Sequence, residues 1–353
     1  MKTTYWSVDN DVNSKKNYPQ IVKAAELIKK NEVVAFPTET VYGLGANATS
    51  DEAVAKIFAA KGRPADNPLI VHIATFQQLK QIAVDISDTA MKLMRTFWPG
   101  PLTLIFNKKP GAVSRLVTAG LNTVAVRMPD HPLAMALIRE SGHPIAAPSA
   151  NKSGKPSPTT AKHVQDDLDG IVAGIVDGGP AGVGVESTVV DCTVSPPVIL
   201  RPGGISKEDI EAIIGQVEED PSIASSVSKP KSPGMKYRHY APDAPLYLAD
   251  GEQQWIQHLI DEKMDAGLKV GILAPQETAS FYKADVVVPC GSKADPKSSA
   301  QTLYQALRSF ENTGVDIIFS EVFPRTGVGA AIMNRLEKAA SHRWMKQHMK
   351  DQD

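Results

Sequence analysis

The sequence is poor in cysteine. Its 353 residues include only Cys192 and Cys290, which lie far apart, and no CxxC pair or close Cys/His spacing occurs. Structural zinc sites are built from such closely spaced ligands, so we expect no resident metal site. Sparse cysteine is typical of proteins in the reducing cytoplasm, where a free cysteine usually acts as a small buried apolar side chain. We therefore expect a cytoplasmic protein with two buried, unreactive thiols.

The sequence also lacks the segments by which proteins enter or cross membranes. The first residues, MKTTYWSVDNDVNSKK, are polar and contain no apolar core of a signal peptide. No stretch of about 18 apolar residues occurs, so no membrane-spanning helix is expected. The formal net charge is −1, which argues against a long basic surface for nucleic acid and still allows a local basic patch.

Several motifs of nucleotide-dependent and covalent catalysis are missing as well. GxxxxGK[ST] does not occur, and no GxGxxG follows a predicted strand and opens a helix. No serine, histidine and acid set indicates a nucleophilic triad, and no carboxylate pair is marked as acid and base. Cations, hydroxyls and glycines instead recur at the ends of predicted strands. This composition favours a site that positions charged substrates over one that attacks them covalently.

The first two hundred residues predict a mixed sheet with helices. Apolar residues at helical spacing predict a helix near 19–30, and Thr49 with Glu52 fits a capping box for a second helix that Gly62 would end. Predicted strands cover 33–36, 69–73, 102–106, 123–128, 144–147, 171–176, 188–192 and 198–200. Some gaps between them are too short for a crossover helix, which favours a mixed over a parallel sheet.

The character of the chain then changes twice. Residues 206–245 include a Ser/Lys/Pro-rich stretch and predict a linker, which ends in the aromatic and basic run MKYRHYAP. Beyond it, predicted strands at 246–248, 270–273, 285–288 and 315–319 alternate with helices near 252–265, 297–311 and 329–340. This alternation predicts a smaller, Rossmann-like, three-layer α/β domain with a largely parallel sheet. We thus divide the chain into 1–205, 206–245 and 246–353.

Four side chains have both a functional and a structural interpretation. Lys61 and Arg63 lie near a predicted helix end. They could bind a polyphosphate, or they could be solvent-exposed cations that interact favourably with the negative end of the helix dipole. His72 lies in the apolar run LIVHI and is either a ligand or a satisfied core histidine. Arg127 ends a predicted strand, where alternation places it on one face with Thr123. It could receive a carboxylate or form a salt bridge at the rim.

Two loops are rich in small residues. The segment PSANKSGKPS at 148–157 offers hydroxyls, amides and two lysines that could bind phosphate oxygens, or it forms a turn-rich surface loop. The glycine-rich segment 177–188 leads into a strand, the wrong order for a dinucleotide fingerprint, so its glycines favour tight turns or close approach of a ligand. Arg201, at a predicted strand end, adds another cation.

Together these segments resemble the YrdC-like family of threonylcarbamoyl-AMP synthases. The matching motifs, in the order of that family, are PTETVYGL at 37–44, KGRP at 61–64 with NPL at 67–69, His72, VRMP at 126–129, PSANKSG at 148–154, ESTV at 186–189 and LRPG at 200–203. SPGMKYRHYAP at 232–242 and GVGAAIMNRL at 327–336 resemble its longer, two-domain subfamily. The resemblance covers almost the whole chain, with no departure at the motif positions.

The resemblance implies a twisted mixed sheet around a concave, positively lined cavity. The threonine site that it implies consists of Thr40, His72, Arg127, Ser187 and the backbone at Ala147. The ATP site that it implies consists of Arg63, Asn67, Thr123, Ser149, Asn151, Ser157 and Arg201, with Tyr237 of the linker reaching the nucleotide as part of a lid. Lys61 and Arg63 would be the catalytic cations.

The implied reaction converts L-threonine, bicarbonate and ATP, with Mg²⁺ accompanying ATP, into L-threonylcarbamoyl-AMP and pyrophosphate. It is the first step toward threonylcarbamoyladenosine in tRNAs that read ANN codons, and tRNA would be involved only through the threonylcarbamoyl transferase complex. Because threonine differs from serine by one methyl group, worth about 1–3 kcal/mol, we expect a small apolar wall around it.

Two alternative functions remain at this stage. One is a pure RNA-binding module, against which the near-neutral charge and the lack of interleaved aromatic and basic residues argue. The other is a carbamoyl-AMP-forming maturation enzyme, against which the lack of CxxC pairs argues.

Overall fold

The structure is a computed structural model that describes residues 2–8, 18–223 and 239–347. These residues form two compact units, the first comprising 2–153 with 157–223 and the second 154–156 with 239–347. No helix in these ranges is long and apolar enough to cross a membrane.

The first unit is built on a twelve-stranded sheet. Its strands are β1 (Thr4–Ser7), β2 (Val34–Phe36), β3 (Gly43–Asn47), β4 (Ile70–His72), β5 (Ala83–Val84), β6 (Leu102–Lys108), β7 (Thr123–Arg127), β8 (Ile145–Ala146), β9 (Gly174–Asp177), β10 (Thr188–Asp191), β11 (Val198–Arg201) and β12 (Glu218–Glu219). Its helices are α1 (Pro19–Lys29), α2 (Asp51–Lys61), α3 (Phe76–Ile82), α4 (Asp88–Phe97), α5 (Pro132–Ser141), α6 (Ala161–Leu168) and α7 (Lys207–Ile214). A 3₁₀ turn covers Pro221–Ile223.

The strand order is β1-β9-β2-β3-β8-β4-β7-β6-β10-β11-β12, with β5 beside β6. Strands β4 and β7 are parallel, whereas β6 and β7 are antiparallel, so the prediction of a mixed sheet is confirmed. The two faces of the central strands differ. Val71, Leu104 and Val126 face the main hydrophobic core. Their neighbours Ile70 and Ala125 face a smaller apolar cluster on the opposite side.

Helix α2 shows how local side chains set an element boundary. The predicted capping box at Thr49 is wrong, because the helix begins one residue later than that box requires, and the Thr49 hydroxyl donates to Asn47 Oδ1 at 2.8 Å. Ser50 caps the helix instead, and its hydroxyl accepts a hydrogen bond from the backbone N–H of Ala53 at 3.2 Å. Gly62 ends the helix with a φ of 65°, in the left-handed region predicted for it.

Strand β3 was missed because its glycines are typical of a loop. The glycines are required by packing: a Cβ at Gly45 would lie 2.7 Å from a ring carbon of Phe36 and 2.8 Å from a methyl group of Ile145. The short strands β1, β5 and β12 were also missed. The other predicted strands of this unit are present with shifted ends, the largest shift being the start of β9 at Gly174 instead of residue 171.

The second unit has a five-stranded sheet in the order β15-β14-β16-β13-β17, in which every neighbouring pair is parallel. Its strands are β13 (Leu246–Asp250), β14 (Val270–Ala274), β15 (Val286–Pro289), β16 (Ile317–Glu321) and β17 (Trp344–Lys346). Its helices are α8 (Gln253–Asp265), α9 (Gln276–Ala279), α10 (Pro296–Arg308) and α11 (Gly329–Ala339). The predicted parallel α/β domain is confirmed, although β17 and the one-turn helix α9 were missed.

The two cysteines differ in exposure. Cys290 is buried as expected, but Cys192 is only partly buried, so the expectation of two buried thiols is wrong for one of them. Burial raises the pKa of each thiol to about 12. Both therefore remain protonated at neutral pH and are poor nucleophiles.

Candidate active site

A row of residues crosses five neighbouring strands of the first unit at the same level. In this row, His72 pairs with Arg127, Arg127 with Thr103, Thr103 with Val189, and Val189 with Arg201. Residues opposite one another in register project from the same face of a sheet. Two cationic side chains, an imidazole and a hydroxyl are thus brought to one face, although they are up to 129 positions apart in the sequence.

An apolar surface adjoins this polar row. Ile70, Ile105, Ala125, Val189 and Leu200 form the small cluster on the same face of the sheet, each at most 6% exposed. Such a surface can contact a methyl group, as the predicted wall would have to do. The wall itself remains a prediction.

Arg127, at the end of β7, is buried and held by three groups. Its Nη1 donates to Thr40 Oγ1 at 2.9 Å and its Nε donates to the carbonyl oxygen of Gly100 at 3.2 Å. Its Nη2 lies 2.5 Å from Glu39 Oε1, an ion pair whose angle does not make a hydrogen bond. Arg127 therefore forms an ion pair, but a buried one instead of the salt bridge at a rim that the sequence allowed.

The loop before β3 places Thr40 against this guanidinium. Thr38 organises the turn, because its hydroxyl lies 2.7 Å from the carbonyl oxygen of Val41 and 2.9 Å from Thr40 Oγ1. Both threonines are at most 2% exposed. The run Pro37-Thr38-Glu39-Thr40 is thus a hydrogen-bonded turn that holds the side chains of Glu39 and Thr40 beside Arg127.

His72 is buried next to Arg127, and the edge of the Phe36 ring packs against it at 6.2 Å between ring centres. Burial, with the positive charge of Arg127, lowers the pKa of His72 to about 3, so the imidazole is neutral at physiological pH. Its Nδ1 has no hydrogen-bond partner among the described residues. The choice between a ligand and a core histidine therefore stays a prediction.

Ser187 and Arg201 form the far end of the row. Arg201 Nη2 donates to the Ser187 carbonyl oxygen at 2.8 Å and to Ser187 Oγ at 3.1 Å. Ser187 Oγ also lies 2.7 Å from Thr103 Oγ1. Gly203 permits this arrangement, since a Cβ there would lie 2.3 Å from the backbone nitrogen of Thr188. The hydroxyl of Ser187 is thus oriented by a cation and a second hydroxyl.

Lys61, in the last turn of α2, joins the loop at 148–157 to the helix. Its Nζ donates to the carbonyl oxygens of Ser149 at 2.6 Å and Asn151 at 2.8 Å. Burial, and then the charge of Arg63, lowers the pKa of Lys61 well below its ordinary value. A lysine that only answers a helix dipole in solvent would be exposed, so that interpretation is wrong here.

Arg63 lies two residues beyond Lys61 and is only partly buried, with its guanidinium carbon 5.6 Å from the centre of the Phe58 ring. Asn67 follows in the same loop and is fully buried, yet neither polar atom of its side chain has a hydrogen-bond partner among the described residues. A buried amide without partners is costly, so an outside partner is expected.

The remaining predicted residues are placed as follows. Ser157 is buried and its hydroxyl donates to Glu186 Oε1 at 2.6 Å. Thr123, at the start of β7, is partly buried and pairs with Asn107. Ala147 donates its N–H to the carbonyl oxygen of Ile70 at 2.9 Å, so this N–H is already used within the sheet. Tyr237 and the lid expected around it lie outside the described residues.

Three polar residues of this region were not singled out from the sequence. Thr103 orients Ser187, Glu186 accepts from Ser157, and Glu39 pairs with Arg127. Glu39 and Glu186 each precede a predicted threonine-site residue inside a matching motif, and that adjacency was the available signal. Thr103 stands in an apolar strand without such a signal.

Two family models match the chain. The Sua5/YciO/YrdC model, described as telomere recombination, matches residues 26–203, and a model of the C-terminal domain of threonylcarbamoyl-AMP synthase matches residues 205–341. The chain belongs to the Sua5/YciO/YrdC family.

Curated members of this family are similar over nearly the full length. The threonylcarbamoyl-AMP synthase of Bacillus subtilis is 60% identical and covers 97% of this chain and 99% of its own. The enzyme of that name from Pyrococcus abyssi is 50% identical over 92% of this chain and 94% of its own. A crystal structure of P. abyssi Sua5 complexed with L-threonine aligns with a TM-score of 0.92 at 48% identity, over 98% of this chain and 100% of that one.

Proposed function

We propose that this protein synthesises L-threonylcarbamoyl-AMP from L-threonine, bicarbonate and ATP and releases pyrophosphate. The observation that carries the proposal is the buried Arg127 guanidinium, oriented by Thr40 and flanked by a neutral His72. This arrangement suits the carboxylate and hydroxyl groups of a small hydroxy amino acid. The names of the full-length relatives and the threonine complex of a Sua5 protein support the same reaction.

For threonine, we assign binding to Thr40, His72, Arg127, Ser187 and the carbonyl oxygen of Ala147. Arg127 supplies the positive charge for the carboxylate, since a planar guanidinium matches the geometry of that group. The neutral imidazole of His72 can accept or donate one hydrogen bond without adding charge. The apolar cluster around Ala125 supplies the surface for the methyl group.

For ATP, we assign binding to Arg63, Asn67, Thr123, Ser149, Asn151, Ser157 and Arg201, and to Tyr237 from the linker. The unpartnered amide of Asn67 provides both a donor and an acceptor. Lys61 and Arg63 are the catalytic cations, because negative charge accumulates on the phosphate oxygens as pyrophosphate departs.

The chemistry proceeds in two steps. The ammonium group of threonine first loses a proton to solvent, and the neutral amine then attacks the carbon of bicarbonate, so that a carbamate and water form. A carbamate oxygen then attacks the α-phosphorus of ATP, the bond from that phosphorus to the bridging oxygen breaks, and pyrophosphate leaves. The carbamate is short-lived in water, so a site that excludes water favours the second step.

Magnesium enters this proposal as part of the substrate. Within the described ranges, no group of three His, Cys, Asp or Glu side chains could hold a metal ion. We therefore assign Mg²⁺ to the phosphates of ATP, where it would neutralise charge. The product would pass to the threonylcarbamoyl transferase complex, which modifies tRNAs that read ANN codons. The sparse cysteines support a cytoplasmic location.

The test is pyrophosphate release from MgATP, with threonine and bicarbonate each supplied or omitted. We expect release that requires both and that serine supports much less well. Release without threonine, or none from folded protein with all three substrates, would contradict the proposal. The nucleotide product, identified by mass spectrometry, should contain both the threonine and the bicarbonate carbon.

A further inference from the structure

Glu39 is a buried carboxylate with an incomplete set of partners. Its side chain is 13% exposed and one oxygen lies 2.5 Å from Arg127 Nη2. Neither carboxylate oxygen has a hydrogen-bond partner among the described residues. A carboxylate has room for about four hydrogen bonds, and leaving a charged acceptor unsatisfied away from water is costly. The site therefore offers an acceptor for a donor that a ligand would bring.

The backbone fixes where this acceptor sits. The Glu39 carbonyl oxygen accepts a hydrogen bond from the Val183 N–H at 2.7 Å, and that of Thr40 accepts one from the Gly184 N–H at 3.2 Å. The glycine-rich segment thus holds the turn through the turn's backbone carbonyl oxygens, whereas Arg127 contacts it through the Thr40 hydroxyl. The position of Glu39 is determined by two separate parts of the chain.

The charges around Glu39 leave it as the buried anion that faces Arg127. Asp130 is exposed, and burial followed by the charge of Glu39 raises its pKa. Burial lowers the pKa of His131 to about 4 and that of His72 to about 3, so both imidazoles are neutral near pH 7. Arg127 and Glu39 are then one positive and one negative group side by side, with no net charge.

This pair matches the charges of an α-amino acid, in which a carboxylate and an ammonium group are attached to one carbon. We propose that Glu39 binds the ammonium group of threonine while Arg127 binds its carboxylate. A zwitterion replaces the direct Arg127–Glu39 contact with two contacts of the same kind, so every buried charge remains paired. The inference rests on the proposed function, and it names a substrate contact on a residue not counted among the threonine ligands above.

The role predicts which part of the ligand Glu39 recognises. Threonine carries both charged groups, whereas 3-hydroxybutanoate keeps the carboxylate and hydroxyl but has no amine. A residue that binds the ammonium group strengthens the binding of threonine and not that of 3-hydroxybutanoate. A residue that only supports the fold of the site strengthens the binding of both ligands.

The experiment compares wild type, Glu39→Gln and the control Glu140→Gln, an exposed glutamate of α5. Threonine binding to the full chain is measured by calorimetry, and 3-hydroxybutanoate by its inhibition of threonine-dependent pyrophosphate release. We expect Glu39→Gln to weaken threonine binding about 10- to 100-fold, since hydrogen bonds to charged groups are worth about 1.5–3 kcal/mol. The Glu39→Gln variant should be inhibited by 3-hydroxybutanoate at least as strongly as wild type. The control Glu140→Gln should equal wild type in both measurements.

Three outcomes would overturn the proposal. Equal weakening of both ligands would make Glu39 a structural residue. Unchanged threonine binding would show that the ammonium group lies elsewhere. Tighter threonine binding would make Glu39 an internal competitor for Arg127. In each case wild-type activity stands, whereas failure of the wild type to bind threonine or release pyrophosphate would refute the proposed function itself. If Glu39→Gln does not fold, Glu39→Asp should weaken threonine binding and not that of 3-hydroxybutanoate.

Discussion

Each unit holds a glutamate beside a cation, Glu321 buried and Glu39 with its carboxylate oxygens buried, and the two glutamates differ in what else they contact. In the second unit, Glu321 at the end of β16 lies 2.7 Å from Lys293 Nζ and also accepts hydrogen bonds from Tyr282 at 2.9 Å and from Thr278. In the first unit, Glu39 has the ion pair with Arg127 and accepts no hydrogen bond from the described residues.

The difference is the one expected between a carboxylate that only supports the fold, Glu321, and one with the ligand-binding role proposed for Glu39. Folded proteins satisfy buried polar groups, so a network such as that around Glu321 is expected wherever a charge only supports the fold. Among the described residues, buried atoms without a hydrogen-bond partner occur in the first unit at Glu39, Asn67 and His72 and in the second unit at Arg343. Glu39 and His72 differ from the others in lying beside the same guanidinium, that of Arg127, so a ligand that binds Arg127 could contact both.

The largest effect is expected from Arg127→Ala. Removing one partner of a buried ion pair costs about 3–5 kcal/mol, so the KM for threonine should rise 100-fold or more while the KM for ATP changes only a few-fold. The matched change in the second unit, Lys293→Ala, should leave both constants unchanged, because Lys293 is 39% exposed and Glu321 keeps its hydroxyl donors. Equal rises in both KM values for Arg127→Ala would refute its role as the carboxylate receptor.

Glu321→Ala should mainly reduce stability. It removes the acceptor of the Tyr282 hydroxyl and leaves the Thr278 hydroxyl only the Pro275 carbonyl oxygen at 3.3 Å. We expect a loss of about 2–4 kcal/mol in the free energy of unfolding of the second unit. Hydrogen exchange of β14 and β16 reports this loss, while the kinetic constants measured on the folded protein should stay close to those of wild type. If Glu321→Ala altered the KM for threonine and not exchange, the contrast between the two glutamates would fail.

The buried histidines predict a pH dependence of stability in the first unit. The pKa of His72 is about 3 in the folded protein and about 6.5 when unfolded, so the unfolded chain binds the extra proton between these values. The contribution of His72 to the free energy of unfolding should therefore be fully present above about pH 6.5. Below that pH it should fall by up to about 1.4 kcal/mol per pH unit. Urea unfolding at pH 7 and pH 5 measures this decrease in the free energy of unfolding. In His72→Gln the decrease between the two pH values should be about 1–2 kcal/mol smaller than in wild type.

The smallest effect is expected at Ser157. Ser157→Ala removes the hydrogen bond to Glu186 at 2.6 Å, and we expect the KM for ATP to rise about 3- to 10-fold with little change for threonine. Steady-state kinetics with each substrate varied in turn measures both. A larger rise in the KM for threonine than in the KM for ATP would contradict the assignment of Ser157 to the ATP site.

Features that depend on neighbouring residues could be predicted from the sequence, whereas features that depend on residues distant in the chain could not. Gly62 could be predicted to end α2, because a left-handed residue after a helix depends on its immediate neighbours. The N-cap was misplaced by one residue because Thr49 and Ser50 are both suitable cap residues, and the hydroxyl that accepts the Ala53 N–H is that of Ser50. The strand β3 could not be seen, since its glycines are explained by the ring of Phe36 and by Ile145, which lies a hundred residues away.

The sequence by itself determined the order of motifs, the periodicity of most strands, and the residues that carry the resemblance to a known family. Only the tertiary structure decided which polar atoms lie together and which have no partner. Strand pairing brings His72, Arg127 and Arg201 to one level, and burial then changes what each group can do. Glu39 shows the physical reason: its chemistry depends on a guanidinium 88 positions further along the chain, and no local pattern encodes that contact.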